Sequence, residues 1–81
     1  MLANLPGNDI LLCQITSQNT RDIFSVPLTV ADFVQGSLPV PSNIRPTRIF
    51  TADKRIIIKT SGTVGPIIIQ RVIQIIIDLL R

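Results

Sequence analysis

The apolar positions of the chain fall into short runs that end at turn signals, followed by one long apolar segment. Residues 4–8 combine a proline, a glycine and two asparagines, which favour a turn because glycine and asparagine tolerate positive φ. Residues 10–17 are apolar first and then alternate, which predicts a central strand buried on both faces at its start. Residues 23–28 predict a short strand, and Pro27 restricts it to an edge or a strand end.

The middle of the chain is rich in residues that interrupt regular structure. Thr29 is placed to cap a single helical turn that runs through Ala31, Asp32 and Phe33 and that Gly36 stops. Three prolines between positions 39 and 46 exclude a helix and predict irregular or edge strands. A turn at 51–54 leads into 55–60, where β-branched residues flanked by cations predict another strand.

The last apolar segment predicts a helix that begins at Pro66, with Gly65 as its N-cap. Its polar residues form one narrow stripe at helical spacing, namely Gln70, Gln74, Asp78 and Arg81, with Arg71 beside them. A stripe this narrow implies burial of about three-quarters of the helix circumference. Either the helix lies in the core with one solvent-exposed edge, or part of it forms a subunit interface. Short strands followed by one helix indicate a mainly β, α+β fold.

Composition adds an excess of apolar surface to this picture. The 81 residues predict a single domain, spanning 1–81. Hydrophobic residues make up 46% of the chain, with fifteen isoleucines, whereas charged residues make up 16%, below the roughly 25% typical of soluble domains. We therefore expect self-association and poor solubility of the isolated chain.

The residue types that are missing exclude several kinds of chemistry. The chain has no His, Trp, Tyr or Glu, which excludes a histidine metal site, a histidine base and a catalytic glutamate. Cys13 is the single cysteine, so it has no disulfide partner within the chain, and we interpret it as a small buried hydrophobe. We expect neither a metal nor a cofactor. No secretory signal opens the chain, and the segment 67–80 is shorter than the roughly 20 residues of a membrane span. The prediction is a cytoplasmic protein without a membrane partner.

Catalysis in such a chain depends on Arg, Lys, Asp, Ser and Thr, which favours electrostatic handling of a phosphate group. The segment 14–18 clusters hydroxyls and amides at a strand end. The segment 45–48 places two guanidinium groups, those of Arg45 and Arg48, three residues apart on a proline-stiffened stretch. By themselves, the first segment is more typical of a strand-end hydrogen-bond cluster than of a phosphate site, and the second is more typical of ordinary solvated arginines. The formal charge of +3 only mildly favours a polyanionic partner.

An ordered series of short motifs resembles the MazF/PemK-type toxins, the ribonuclease halves of toxin–antitoxin pairs. The longest is LPGNDILLCQITSQ at 5–18. The others are VPL at 26–28, DF at 32–33, GSL at 36–38, PS at 41–42, IRP at 44–46, IFTAD at 49–53, IIK at 57–59 and the apolar C-terminal helix. The resemblance covers nearly the whole chain in order.

The resemblance implies a fold, an activity and partners. The fold would be a small SH3-like barrel with a C-terminal helix, assembled as a homodimer. The activity would be cleavage of single-stranded RNA without a metal, in which the substrate's 2′-OH attacks the adjacent phosphate and leaves a cyclic phosphate and a 5′-hydroxyl. An antitoxin protein would cover the RNA groove with a peptide.

The resemblance also assigns site residues. Thr16 would be the hydroxyl that contacts the scissile phosphate, with Ser17 and Gln18 as its neighbours in the RNA groove. Arg45 would stand where some members place a catalytic arginine. Two positions later those members carry an aspartate as acid or base, whereas this chain has Thr47, which cannot shuttle a proton near pH 7. Thr47 and Arg48 remain candidates for RNA binding.

The largest departure from the family pattern is at the start of the chain. Family members open with a glycine–aspartate strand, a loop and an Arg-Pro-Ala-Leu-Val-like strand, and residues 1–5 fit only the tail of the latter. We therefore expect a truncated domain that lacks two barrel strands and the family's chief catalytic arginine. Three functions stay open: an endoribonuclease active as a dimer or with a piece supplied in trans, an inactive remnant that dimerises or binds antitoxin, and a small nucleic-acid-binding barrel. The last lacks aromatic stacking platforms, since the chain has three Phe.

Overall fold

The fold is mainly β, with one C-terminal helix. The computed structural model describes residues 2–18, 22–56 and 62–81. The strands and the helix are β1 (Ala3–Asn4), β2 (Asp9–Thr16), β3 (Val26–Leu28), β4 (Phe33–Gly36), β5 (Ser42–Asp53), β6 (Gly62–Val64) and α1 (Pro66–Leu80). The first sheet is open and antiparallel, in the order β1-β2-β5-β3, and β4 pairs with β6 in a second sheet. The predicted class, mainly β with a C-terminal helix, is confirmed.

The predicted turn near the start of the chain joins β1 to β2. Gly7 lies at its tip with φ of 75°, a conformation that a glycine adopts without steric cost. The backbone N–H of Leu5 donates to the carbonyl oxygen of Asp9 at 2.9 Å and closes the turn. The interior position of β2, between β1 and β5, is confirmed. Only Ile10 is fully buried at its start, so burial on both faces is confirmed there in part.

The longest strand, β5, corrects the prediction of irregular or edge structure, because it lies inside the four-stranded sheet. The reason is a bulge. Cys13 pairs with Ile49, whereas the next residue of β2 pairs with Arg45, so residues 46–48 have no partner on β2. Pro46 is buried in this bulge, where no ladder hydrogen bond requires the N–H that proline lacks. The strand continues to Asp53, so the turn predicted at 51–54 begins only at Lys54.

The strand predicted at 55–60 is wrong at its first two residues. Lys54–Ile56 form a 3₁₀ turn, and the backbone N–H of Arg55 donates to the Asp53 carboxylate at 2.9 Å. This bond between a carboxylate and the N–H two residues later competes with strand pairing. The remainder of that prediction, 57–60, lies outside the described residues.

The helical turn predicted at Thr29 is confirmed as a 3₁₀ turn, Val30–Asp32. The Asp32 carboxylate accepts the backbone N–H of Thr29 at 2.8 Å, and the Asp32 N–H donates to the Thr29 carbonyl oxygen at 3.0 Å. The turn ends one residue early, however, because Phe33 already starts β4, a strand that the pattern did not predict. Gly36 ends β4 with φ of 70°.

The helix α1 begins as predicted, with Gly65 as N-cap and Pro66 in the first turn. One face of α1 packs on the first sheet. The core consists of Val26, Leu28, Ile44, Ile68 and Val72. Pro27 is exposed on the edge strand β3, which confirms its predicted role.

A second side of α1, which we call the outer face, consists of Ile69, Ile73, Ile77 and Leu80. Ile73 and Ile77 are each 37% exposed and Leu80 is 82% exposed. The sheet therefore covers much less than the predicted three-quarters of the helix. None of the described helices is long and apolar enough to cross a membrane.

Candidate nucleic-acid interface

Strand pairing brings the two polar segments of the sequence together. Gln14 lies opposite Arg45, and Thr16 lies opposite Asn43. Because side chains alternate along a strand, these four residues share one face of the sheet. The residue between Asn43 and Arg45 is Ile44, which belongs to the core on the other side. We call the face formed by Gln14, Thr16, Asn43 and Arg45 the polar face.

Neighbouring side chains bind the Nε and Nη1 atoms of the Arg45 guanidinium. Its Nε donates to Oδ2 of Asp22 at 3.3 Å, and its Nη1 lies 3.5 Å from Oε1 of Gln14. The Arg45 side chain is 23% exposed. An arginine carries five N–H donors, so the outer end of the group retains donors that can meet a ligand on the polar face.

Asp22 is the site residue that the sequence analysis missed. Its Oδ1 accepts the backbone N–H of Phe24 at 2.9 Å, and its Oδ2 accepts the hydroxyl of Thr47 at 3.3 Å as well as Arg45. The Phe24 N–H, followed by the Arg45 and Thr47 contacts, holds the pKa of the Asp22 carboxyl below its usual value, although partial desolvation opposes the shift. An aspartate just before a predicted strand signals a local turn. Nothing local signals a partner 23 residues away.

Thr16 ends β2 with its side chain half-buried. Its hydroxyl oxygen accepts the backbone N–H of Gln18 at 3.1 Å. A hydroxyl is also a donor, so the Thr16 O–H remains able to donate to a phosphate oxygen. Ser17 and Gln18 follow the strand and are exposed.

The bulge in β5 presents the other predicted residues. Thr47 donates to Asp22 and is exposed, and Arg48 beside it is exposed as well. The structure thus brings Thr16, Arg45 and Thr47 to one end of the sheet. Within the described ranges, no hydrogen bond joins the side chains of Ser17, Gln18 or Arg48 to this cluster.

Cys13 supports the cluster from the core side. Its Sγ–H donates to the carbonyl oxygen of Arg45 at 2.8 Å, and its side chain packs against the core. Burial raises the pKa of the Cys13 thiol, which makes the thiol less reactive at neutral pH. The predicted role as a small hydrophobe holds, with half rather than full burial.

An apolar groove of about 310 Å³ lies where the chain enters β5. Its lining includes Leu28, Val30, Phe33, Leu38 and Val40. Among residues 2–18, 22–56 and 62–81, no group of three His, Cys, Asp or Glu side chains could hold a metal ion.

Comparisons of the chain with protein-family models, curated proteins and solved structures found no match. What the polar face can do therefore follows from its chemistry. It presents one arginine, one hydroxyl and two amides on two adjacent strands, a set that binds anions through hydrogen bonds and charge.

Proposed function

We propose that this chain is a metal-independent endoribonuclease of the MazF/PemK type, which cleaves single-stranded RNA as the toxin component of a toxin–antitoxin system. The observation that carries the proposal is the pairing of β2 with β5, which puts Thr16 and Arg45 on the same face of adjacent strands. In the proposed assembly the open sheet is part of a small SH3-like barrel. An RNA substrate places the activity in the cytoplasm.

The spacing on the polar face suits one phosphate group. Thr16 and Arg45 are diagonal neighbours on an antiparallel pair, whose β-carbons lie roughly 7–8 Å apart. An arginine side chain and a threonine hydroxyl at that separation can both reach the oxygens of one phosphate. A guanidinium presents a planar fork of donors that can bind two oxygens of one phosphate.

In the proposed reaction the protein contributes positioning and charge. The ribose 2′-hydroxyl gives its proton to water as its oxygen attacks the adjacent phosphorus. The bond to the 5′-oxygen breaks as that oxygen takes a proton from water, and the products are a cyclic phosphate and a 5′-hydroxyl. Arg45 stabilises the charge that builds on the phosphoryl oxygens, and the Thr16 hydroxyl donates to one of them. No protein nucleophile is needed, because the substrate supplies its own.

The exposed neighbours extend this site along the RNA backbone. Ser17 and Gln18 offer a hydroxyl and an amide at the end of β2, and Arg48 offers its guanidinium at the bulge. The hydroxyl of Thr47 donates to Asp22, and its oxygen can still accept a hydrogen bond from a ribose hydroxyl. These groups contact phosphate and sugar in the proposed complex. Contacts of this kind fix the position of a nucleic acid without reading its sequence.

The test is incubation of the purified chain with single-stranded RNA in the presence of a chelator. We expect fragments that end in a 2′,3′-cyclic phosphate, identified by mass spectrometry. A substrate with 2′-deoxyribose at the cleavage position stays intact, because it lacks the attacking hydroxyl. Thr16→Ala and Arg45→Ala each lower the cleavage rate about 100-fold or more, as removal of one transition-state donor does.

Two matched variants control for nonspecific effects. Thr63→Ala removes an exposed threonine of β6, and Arg71→Ala removes an exposed arginine of α1. Both should cleave RNA at the wild-type rate. Intact RNA with the wild-type chain, or loss of activity in the control variants as large as in Thr16→Ala, contradicts the proposed activity.

The apolar groove supports a second candidate, a module that binds an antitoxin peptide without cutting RNA. Its lining offers apolar contacts to the side chains of an extended peptide, at the start of the strand that carries Arg45. Intact RNA, together with binding of a partner peptide that Val30→Asp abolishes, would favour this function. Val30 is 70% exposed, so the substitution leaves the core unchanged.

The proposal also includes assembly of the chain as a homodimer. The accessible surface of the chain is 6019 Å², whereas about 4,800 Å² is expected for a compact monomer of this mass. The difference exceeds the roughly 800 Å² that each partner buries in an interface of standard size. The outer face of α1 is apolar and uncharged, and it can pack against the same face of a second copy about a two-fold axis.

A further inference from the structure

We infer that Asp22 is a positioning residue, whose carboxylate holds Arg45 by its Nε so that the outer edge of the guanidinium meets a phosphate. The inference rests on the proposed function, since it names the device that orients the proposed phosphate-binding arginine. It adds a residue from a different segment of the chain, outside both of the polar segments recognised in the sequence.

The Asp22 carboxylate is itself fixed in place. The Phe24 N–H donates to Oδ1 at 2.9 Å, and the backbone carbonyl oxygen of Asp22 accepts both the hydroxyl of Ser25 at 2.9 Å and its N–H at 3.2 Å. The Asp22 side chain is only 8% exposed. A carboxylate anchored in this way costs little further entropy when it orients a second side chain.

The contact with Nε determines which donors of Arg45 remain. Nε donates to Oδ2 of Asp22, and one N–H of Nη1 donates to Oε1 of Gln14. The other N–H of Nη1 and both N–H groups of Nη2 are left for a ligand. Two of these N–H groups can meet two oxygens of one phosphate. Without the carboxylate, the long side chain would sample several rotamers and lose this alignment.

Asp22 is less suited to act as an acid or base in catalysis than to orient Arg45. Both of its oxygens already accept hydrogen bonds, and its pKa is low, so the group is a charged acceptor that lies mostly away from solvent. Thr47 donates to the same oxygen as Arg45. The polar groups around Asp22 thus stabilise its ionised form, which suits a fixed counter-charge.

A double-mutant cycle tests the inference by binding rather than by cleavage. The probe is a fluorescent single-stranded RNA with 2′-O-methyl groups, which cannot be cut, and the readout is its affinity from anisotropy. The proteins are wild type, Asp22→Asn, Arg45→Lys and the double variant. Arg45→Lys keeps the positive charge but removes the fork that Asp22 orients.

We expect Asp22→Asn to weaken binding about tenfold when Arg45 is present and less than about twofold in the Arg45→Lys background, a coupling within the range of contacting residues. Asp22→Glu should restore part of the affinity. Asp53→Asn is the matched control. Asp53 is the last residue of β5, at the end away from the polar face, and forms an ion pair with Arg55 of the following 3₁₀ turn, so its loss should leave binding unchanged.

The outcomes separate the inference from the proposed function. Equal effects of Asp22→Asn in both backgrounds would mean that Asp22 is merely structural, and tighter binding would mean that it competes with phosphate for Arg45. Either result overturns the inference. Failure of the wild-type chain to bind the probe overturns it too. Coupled binding together with intact natural RNA refutes the nuclease proposal alone. If Asp22→Asn unfolds by circular dichroism, Arg45→Lys paired with Asp22→Glu provides the same cycle.

Discussion

Replacement of Gly62 by alanine should separate the two strands of the small sheet. Gly62 lies in β6 opposite Gly36 of β4. A Cβ at this position would be 2.5 Å from the backbone oxygen of Gln35, 3.0 Å from the backbone carbon of Gly36 and 3.0 Å from Cδ2 of Phe33. Since two of these atoms belong to the backbone, a change of side-chain rotamer cannot remove the overlap.

The size of the destabilisation by Gly62→Ala depends on which part of the structure must move to make room for the Cβ. Overpacking of this kind costs about 1–3 kcal/mol, and we expect the upper half of that range because the strand β4 itself has to shift. A chain of this length has a total stability on the order of 4–12 kcal/mol. At roughly 4–8 °C per kcal/mol for a small domain, Gly62→Ala should lower Tm by about 10 °C or more.

Two other glycines serve as controls in the same urea and thermal denaturation measurements. A Cβ at Gly65 would lie 3.4 Å from its nearest neighbour, the backbone oxygen of Asp32. Alanine lowers the conformational entropy of the unfolded chain, which roughly offsets the weaker N-cap, so Gly65→Ala should change stability by less than about 0.5 kcal/mol. Gly7 has open space but a φ of +75°, so Gly7→Ala should cost about 1 kcal/mol. If Gly62→Ala is as stable as Gly65→Ala, the close packing of β6 on β4 is refuted.

Three further predictions concern charge, association and the thiol. The folded-state pKa of Asp22 is lowered, first by the Phe24 N–H, so its contribution to stability is complete above pH of about 4 and disappears as the pH falls further. Between pH 7 and pH 3, the urea midpoint of Asp22→Asn should therefore fall less than that of the wild type. Parallel curves for the two proteins would contradict this prediction. Ile73→Gln with Ile77→Gln should convert the proposed dimer into a monomer in light scattering at about 100 μM, whereas Arg71→Ala should stay dimeric; a monomeric wild type refutes the proposed interface. Cys13, whose thiol pKa is raised by burial, should react with a disulfide reagent at pH 8 at least about tenfold more slowly than in the urea-unfolded chain, and equal rates would show that it is not protected.

The candidate site was predictable residue by residue but not as an arrangement. Hydroxyl, amide and guanidinium groups indicated the segments 14–18 and 45–48 as candidates for phosphate binding, and the family resemblance singled out Thr16 and Arg45 within them. The pairing that unites them depends on the bulge between Cys13 and Gln14 on β2 and the facing residues of β5. A register is a property of two segments, so neither segment alone contains it. The same applies to Asp22, whose local turn was readable and whose bond to Arg45 was not.

A few neighbouring residues were enough to predict four local features, namely the turn at Gly7, the capped turn at Thr29, the edge strand with Pro27, and the start of α1 at Pro66. Steric limits and short-range hydrogen bonds decide these features, and both act within one turn of the chain. The position of proline-containing β5 inside the sheet and the exposure of the outer face of α1 depend on how distant segments pack in the folded chain. Burial and strand partnership are set by segments distant in the chain, which the local pattern does not encode.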